Sequence, residues 1–313
     1  MAYLERIDLK KVFITLVAIM VVLPFLAMAG DKHKIYVDHN ASGKQDGSSK
    51  HPYKDLSKAV SKSNGHTRIY LKDGVYNENI TLPDGAELYG SDEDGSVIID
   101  AKDEDKPVIM LKGGARIVRI TVRDGKNGIR TNDDGKVNII KCNIRSNHQE
   151  GIYIKGNNTK EGNQVNITNS NIENNGSNGI FSEKRKITIQ DSRIKNNGSD
   201  GISLSSGVDA WLDSNSIREN SGSGIKARLD NAFIFTKNNT INDNDRAGVE
   251  VISYGKSGRI DLSKSAIRHN GYYGVLRISR DTAETVWKGL TIQSTASLWD
   301  NGSQNVSSIL NFQ

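Results

Sequence analysis

With 313 residues, 35% of them apolar, and 30 glycines, the chain suits many short strands joined by tight turns and excludes a large helical core. Its formal net charge of +5 admits an acidic partner. No run of Lys or Arg and no nucleic-acid-binding module is present, which argues against nucleic acid as the partner. A single cysteine, Cys142, leaves no intramolecular disulfide to form.

Residues 1–29 differ from the rest. Arg6, Lys10 and Lys11 precede an apolar run from Val12 to Ala29 that closes on Ala27-Met28-Ala29. A basic start, an apolar centre and a small-x-small ending are the plan of a secretory signal peptide, with cleavage expected after Ala29. The alternative is a retained membrane anchor, because the run lies near the lower limit of about 18 residues for spanning. The expected location is secreted, periplasmic or on the cell envelope, with membrane contact only if the run is kept.

Residues 30–66 read as a strand (Lys34 to Asp38), a Gly- and Ser-rich loop (Asn40 to Ser49) and a short helix over Pro52–Val60. Apolar Tyr53, Leu56, Ala59 and Val60 have helical spacing, and Pro is tolerated in a first turn. One helix ahead of many strands serves as a cap over the first coil of a solenoid.

From residue 67 to 280 the strands follow closely. Asp73-Gly74, Asp84-Gly85 and Asp94-Gly95 mark turns. A pattern, Ile-x-x-Asn-x-x-x-Gly, then recurs six times, with its asparagines at 147, 175, 197, 220, 244 and 270. Asp124 to Gly128 reads as a degenerate earlier copy, with Asp in the place of Asn. Steps of 22 to 28 residues are the mark of a stacked solenoid, and they are too short for two-helix repeats. Each Asn side chain offers a donor and an acceptor to a sharp bend and to the next Asn in the stack. The glycine four residues on permits the return into the next strand. The ladder is a frame and carries no catalytic role. Residues 281–313 lack the pattern and read as a last coil and cap.

The ladder sets a register. Seven and five residues before each motif Ile stand Val137, Val165, Ile187, Ala210, Ile234 and Ile260, and Ile139, Ile167, Ile189, Leu212, Thr236 and Leu262. Alternation makes these the inward columns. The fold class follows: all-β, a single-stranded right-handed parallel β-helix with three parallel sheets, an asparagine ladder and a short N-terminal capping helix. Cys142 reads as a small core or turn residue, and His148 and His269 read as exposed turn residues.

Four stretches carry a resemblance. Pro52–Val60, Ile69–Ile80, and the Asn-Asn-Gly-Ser-[Asn/Asp]-Gly-Ile turns at Asn174–Ile180 and Asn196–Ile202 resemble the pectate-lyase-like right-handed parallel β-helix superfamily. The superfamily includes lyases, hydrolases, esterases, epimerases and non-catalytic surface proteins. The sharper signatures are missing. The string Asp-Pro-His-Asp is absent, and Arg193-Ile194-Lys195 stands without the partner strings of the pectin-hydrolysing members.

The resemblance implies that a substrate lies along the outside of the first sheet. There Trp211 and Phe235 stand as outward neighbours with Phe233 beside them, a platform for sugar rings. Lys186 and Asp261 complete the expected substrate-binding set. Lys237, Arg259 and Asp213 are the candidate catalytic residues, since removing a proton beside a uronate carboxylate needs a base and a cation to hold the enolate. Asp209 and Asp213 are the candidate calcium ligands, and calcium is the one cofactor suggested. The expected partner is an acidic polysaccharide or cell-envelope glycan, bound and, in the enzymatic version, cleaved by β-elimination. Whether the protein is an enzyme stays open at this point. The alternative is a non-catalytic envelope or adhesion rod.

Overall fold

The computed structural model describes residues 32–92, 95–131, 135–279, 290–294 and 296–311. The chain divides into residues 1–33 and 34–313. The leader expected over residues 1–29 lies outside the described residues, as do residues 281–289 of the expected last coil and cap.

The strands fall into three parallel sheets, with eleven, ten and ten strands among the described residues. Each turn of the solenoid gives one strand to each sheet in succession. Residues 137–140, 143–145 and 152–154 make one such turn. The first sheet runs in register through Val137, Val165, Ile187, Ala210, Ile234 and Ile260, which are Cα partners from coil to coil. All six are buried, and so are the residues two positions on. In the second sheet Ile144, Ile172, Ile194, Ile217, Ile241 and Ile267 stack on one another without solvent exposure. Each buried isoleucine stabilises by roughly 1.5–3 kcal/mol, and the identical repeat lets β-branched side chains pack rung on rung.

Two polar ladders hold the corners. The first is the expected one. The Asn147 Nδ2 donates to Asn175 Oδ1 at 2.8 Å, and the same contact repeats through Asn197, Asn220, Asn244 and Asn270. It continues to Asn301 at 2.9 Å, so the pattern survives in the last coil as Leu298-x-x-Asn301. At the other end the expectation of Asp124 as a rung is corrected. The Gly125 amide makes the ladder contact, to Asn147 Oδ1 at 3.2 Å. Asp124 instead occupies the left-handed position before the rung, with φ 62°.

The second ladder lies at the corner between the first and second sheets. The amide of each of Cys142, Ser170, Ser192, Asn215 and Asn239 donates to the side-chain oxygen of the next rung, ending at Ser265, over 2.9–3.2 Å. These residues stand two positions before each motif Ile. Cys142 is its buried first member, and burial pushes its thiol up to about 11. Each rung of both ladders follows a residue of positive φ, such as Asn174 and Asn196 at one corner and Asn169 and Asp191 at the other.

The motif glycines act by crowding. A Cβ on Gly179 would stand 2.7 Å from the Gly201 carbonyl oxygen and 2.8 Å from Asn197 Nδ2. Close approach of the next coil therefore explains glycine here, and backbone freedom is not the reason.

The N-terminal helix is short, Leu56–Ser61, and begins four residues after Pro52. Leu56 and Ala59 join the core. Its first amides are satisfied from a distance, since Glu78 accepts from Leu56 N at 2.6 Å and from Ser57 N at 2.7 Å. The C-terminal strands Leu290–Ser294, Ser297–Trp299 and Gln304–Asn311 extend the three sheets by one strand each. Among the described residues no helix is long and apolar enough to cross a membrane.

Candidate functional site

Alternation in the first sheet turns one residue in two outward. In the strand Asp209–Asp213 these are Asp209, Trp211 and Asp213, and in Phe233–Lys237 they are Phe233, Phe235 and Lys237. Register pairs them as Asp209 with Phe233, Trp211 with Phe235 and Asp213 with Lys237. The next strands add Lys186 and Thr188 on one side and Arg259 and Asp261 on the other.

Trp211 and Phe235 meet with ring centroids 5.7 Å apart and planes tilted by 32°. Trp211 remains 45% exposed and Phe233 53%. With Lys186, Thr188 and Asp209 they line a shallow groove of about 250 Å³. The Arg259 guanidinium stands 5.4 Å from the Phe235 ring centroid and 3.6 Å from Asp261. Asp261 also accepts from the Ser263 hydroxyl. A groove of apolar faces with a few polar groups at its rim is the general form of a small-ligand or sugar site.

The register therefore gathers the expected substrate-binding residues Trp211, Phe235, Lys186 and Asp261 on one patch. It divides the expected catalytic set. Asp213 and Lys237 are Cα partners on adjacent coils, with Asp213 accepting from Asn238 Nδ2 at 3.1 Å and Ser214 Oγ at 2.9 Å. Arg259 pairs with Phe233 at the opposite end of the strands. Four residues separate those ends, roughly 13 Å at the strand rise, so Arg259 does not join Asp213 and Lys237 in one reacting group.

The same spacing corrects the calcium expectation. Asp209 and Asp213 are four residues apart on one strand, whereas calcium ligands lie about 2.3–2.6 Å from the ion. The two carboxylates do not close on one ion. Among the described residues no three His, Cys, Asp or Glu gather as a metal site.

Residue alternation was enough to find the platform, but other features needed contacts across coils. Asn166 Nδ2 donates to Asn138 Oδ1 at 3.0 Å, and Gln164 Nε2 donates to Asn166 Oδ1 at 2.6 Å and Thr188 Oγ1 at 2.9 Å. This amide run leads along the same face to the groove. In the third sheet, Glu250 of the strand Val249–Ser253 is buried. It accepts from Ser223 Oγ at 2.9 Å and pairs with Arg246 at 3.2 Å and Lys226 at 3.4 Å. Beside it Asp200 accepts from Ser223 N at 2.9 Å, and burial raises its carboxyl above the ordinary value.

A search of curated protein sequences finds no match. Among solved structures, the chain is similar to the pectate lyase Pel9A, with a TM-score of 0.61, 14% identity, and coverage of 90% of this chain and 80% of that one. It is similar to an alginate lyase from Paenibacillus sp. str. FPU-7, with a TM-score of 0.63, 11% identity, and coverage of 89% and 99%. A tailspike protein of Escherichia coli O157:H7 bacteriophage CAB120 matches with a TM-score of 0.57 and 14% identity, over 84% of this chain and 42% of that one. At these identities the likeness establishes the fold. The family model described as "Right handed beta helix region" matches residues 127–286, about half of the chain and all six Ile-x-x-Asn-x-x-x-Gly copies. The chain belongs to the right-handed β-helix family.

Proposed function

We propose that the protein is exported and binds an acidic polysaccharide along the outer face of the first sheet. The observation that carries this reading is the groove of Trp211, Phe233 and Phe235, exposed apolar faces rimmed by Lys186 and Arg259. Aromatic faces accept the apolar side of a sugar ring, and the two cations favour a carboxylate on it. The structural neighbours include lyases whose names mark them as acting on pectate and alginate, which supports a uronate polymer over a neutral one. The basic, apolar and small-residue segments of residues 1–29 support export.

The register that puts Asp213 and Lys237 side by side on adjacent strands favours a second, enzymatic version of the same reading. In β-elimination a base removes the proton on the carbon beside the uronate carboxylate. The electron pair forms a carbon–carbon double bond, and the glycosidic oxygen leaves from the neighbouring carbon and takes up a proton from water or from the protonated base. Asp213 would serve as the base and Lys237 would hold the developing negative charge.

Affinity electrophoresis in gels containing polygalacturonate or alginate tests the binding. The expected result is retardation of the protein, weakened about ten-fold by Trp211→Ala. No retardation in either polymer, or an unaltered Trp211→Ala variant, removes the groove from consideration. Absorbance of new unsaturated chain ends, followed with and without calcium, decides cleavage. Its absence with binding intact leaves a binding protein.

A further inference from the structure

A second cavity opens around the corner from the groove, and its lining is cationic. The turns that lead into the first sheet put Lys184 two residues before Lys186, Ser206 and Gly207 just before Asp209, Asn231 two residues before Phe233, and Lys256 three before Arg259. With Arg228, Asp230 and Tyr254 they enclose about 140 Å³. That is the space of four or five waters at their share of roughly 30 Å³ each, enough for one oxyanion and too little for a sugar polymer.

The one carboxylate in the lining is committed inward. Asp230 is 2% exposed. Its Oδ1 accepts from the Tyr254 and Lys256 amides, both at 3.0 Å, and its Oδ2 from Arg228 Nε at 2.9 Å. Arg228 in turn lies 4.1 Å above the Tyr254 ring. This fixes the turn and the aromatic wall. Lys184 and Lys256 are exposed, and among the described residues neither ammonium has a carboxylate within the 4.0 Å of an ion pair. Two ammoniums without a carboxylate partner among the described residues, a hydroxyl and an amide thus line a small cavity in which Asp230 is already paired.

We propose that this corner cavity is a separate anion subsite. It takes one carboxylate or sulfate group of a glycan whose backbone lies in the neighbouring groove, and in that assignment it rests on the binding reading above. Its geometry makes the polymer's charge readable at a point distinct from the aromatic platform.

Limiting acetylation with acetic anhydride, read by mass spectrometry on the full-length protein, tests the subsite directly. Sodium sulfate and sodium galacturonate are expected to slow modification of Lys184 and Lys256 about ten-fold, as for a charge-assisted contact. Sodium chloride at equal ionic strength and galactose are expected to give no protection, and exposed Lys141 serves as the reference. Absence of protection, or equal protection at Lys141, overturns the proposal. Protection by sulfate alone overturns the assignment to a sugar carboxylate.

The double variant Lys184→Ala/Lys256→Ala supplies the second arm. It is expected to bind polygalacturonate about ten-fold more weakly and the fully methyl-esterified polymer unchanged. An equal loss on both polymers overturns the subsite. A wild-type protein that binds neither polymer counts against the groove and the glycan assignment, while the labelling result still decides the anion site.

Discussion

Two aromatic clusters stand on the outer face of the same sheet, and they differ in what they leave uncovered. Near the N-terminus Tyr36, Tyr70 and Tyr89 stack with centroids 5.4 Å apart and planes 21° from parallel. Tyr89 donates to Glu87, which also holds Arg68 at 2.8 Å. In that column each ring covers the face of the next, and a polar network pins the set. Trp211, Phe233 and Phe235 come from two adjacent strands but occupy two columns, because Phe233 lies two residues from Phe235. Their rings tilt, and two of the three stay about half exposed. A stack closed on itself serves the scaffold, whereas a staggered patch has faces left for a ligand. Aromatic content alone does not separate the two.

The inner ladder sets the scale against which both clusters are judged. Asn197→Ala removes the acceptor of the Asn175 amide and Nδ2 and the donor to Ile172 O. Stranding buried polar groups is expected to cost roughly 3 kcal/mol, measured by urea denaturation. A loss below that of the tyrosine variant would show that the ladder relaxes around the gap. Tyr70→Ala breaks two ring pairs and is expected to cost about 2 kcal/mol, with polymer retardation unchanged. Weakened binding by this variant would erase the distinction between the clusters. Trp211→Ala is expected to do the reverse, lowering affinity about ten-fold while moving stability by less than about 1 kcal/mol. A large loss of stability would make the groove another scaffold element.

The architecture was legible because a β-helix repeats its constraints. Once the asparagines fixed the register, alternation placed Val137 to Ile260 inward and Trp211 and Phe235 outward, as the strands show. The second corner ladder was harder to see, since Cys142, Ser170, Ser192, Asn215, Asn239 and Ser265 share only small size and an acceptor atom. The column two residues before each motif Ile was the available signal. Asp124 was misread because the short turn there moves the rung to Gly125. The candidate site was less legible than the frame. Alternation gives the face of a residue but not its distance along the strand from its partners, which is why Arg259 and Asp213 seemed to belong together. The corner cavity depends on turns of varying length, where no period helps.

The cluster around Asp200 extends the comparison to charge. It contains a buried acid, a buried Glu250, and the cations Lys226 and Arg246, a composition that also suits catalysis. Burial is the largest cause of the raised Asp200 carboxyl, Glu250 adds to it, and the Ser223 amide and the two cations oppose it. An acid whose folded value lies above its unfolded value is favoured in the fold at low pH. Its contribution turns unfavourable as pH rises from the unfolded value through the folded one, because the unfolded chain ionises first. Asp200→Asn keeps an oxygen for the Ser223 amide and removes the buried charge. The variant is expected to unfold at a slightly higher temperature than wild type at neutral pH, with the difference closing on acidification below the ordinary carboxylate range. Polymer retardation should be unchanged. A variant less stable at neutral pH would mean that Lys226 and Arg246 stabilise the Asp200 charge by more than its burial costs. Loss of retardation would move the cluster from the scaffold to the ligand-handling part of the molecule.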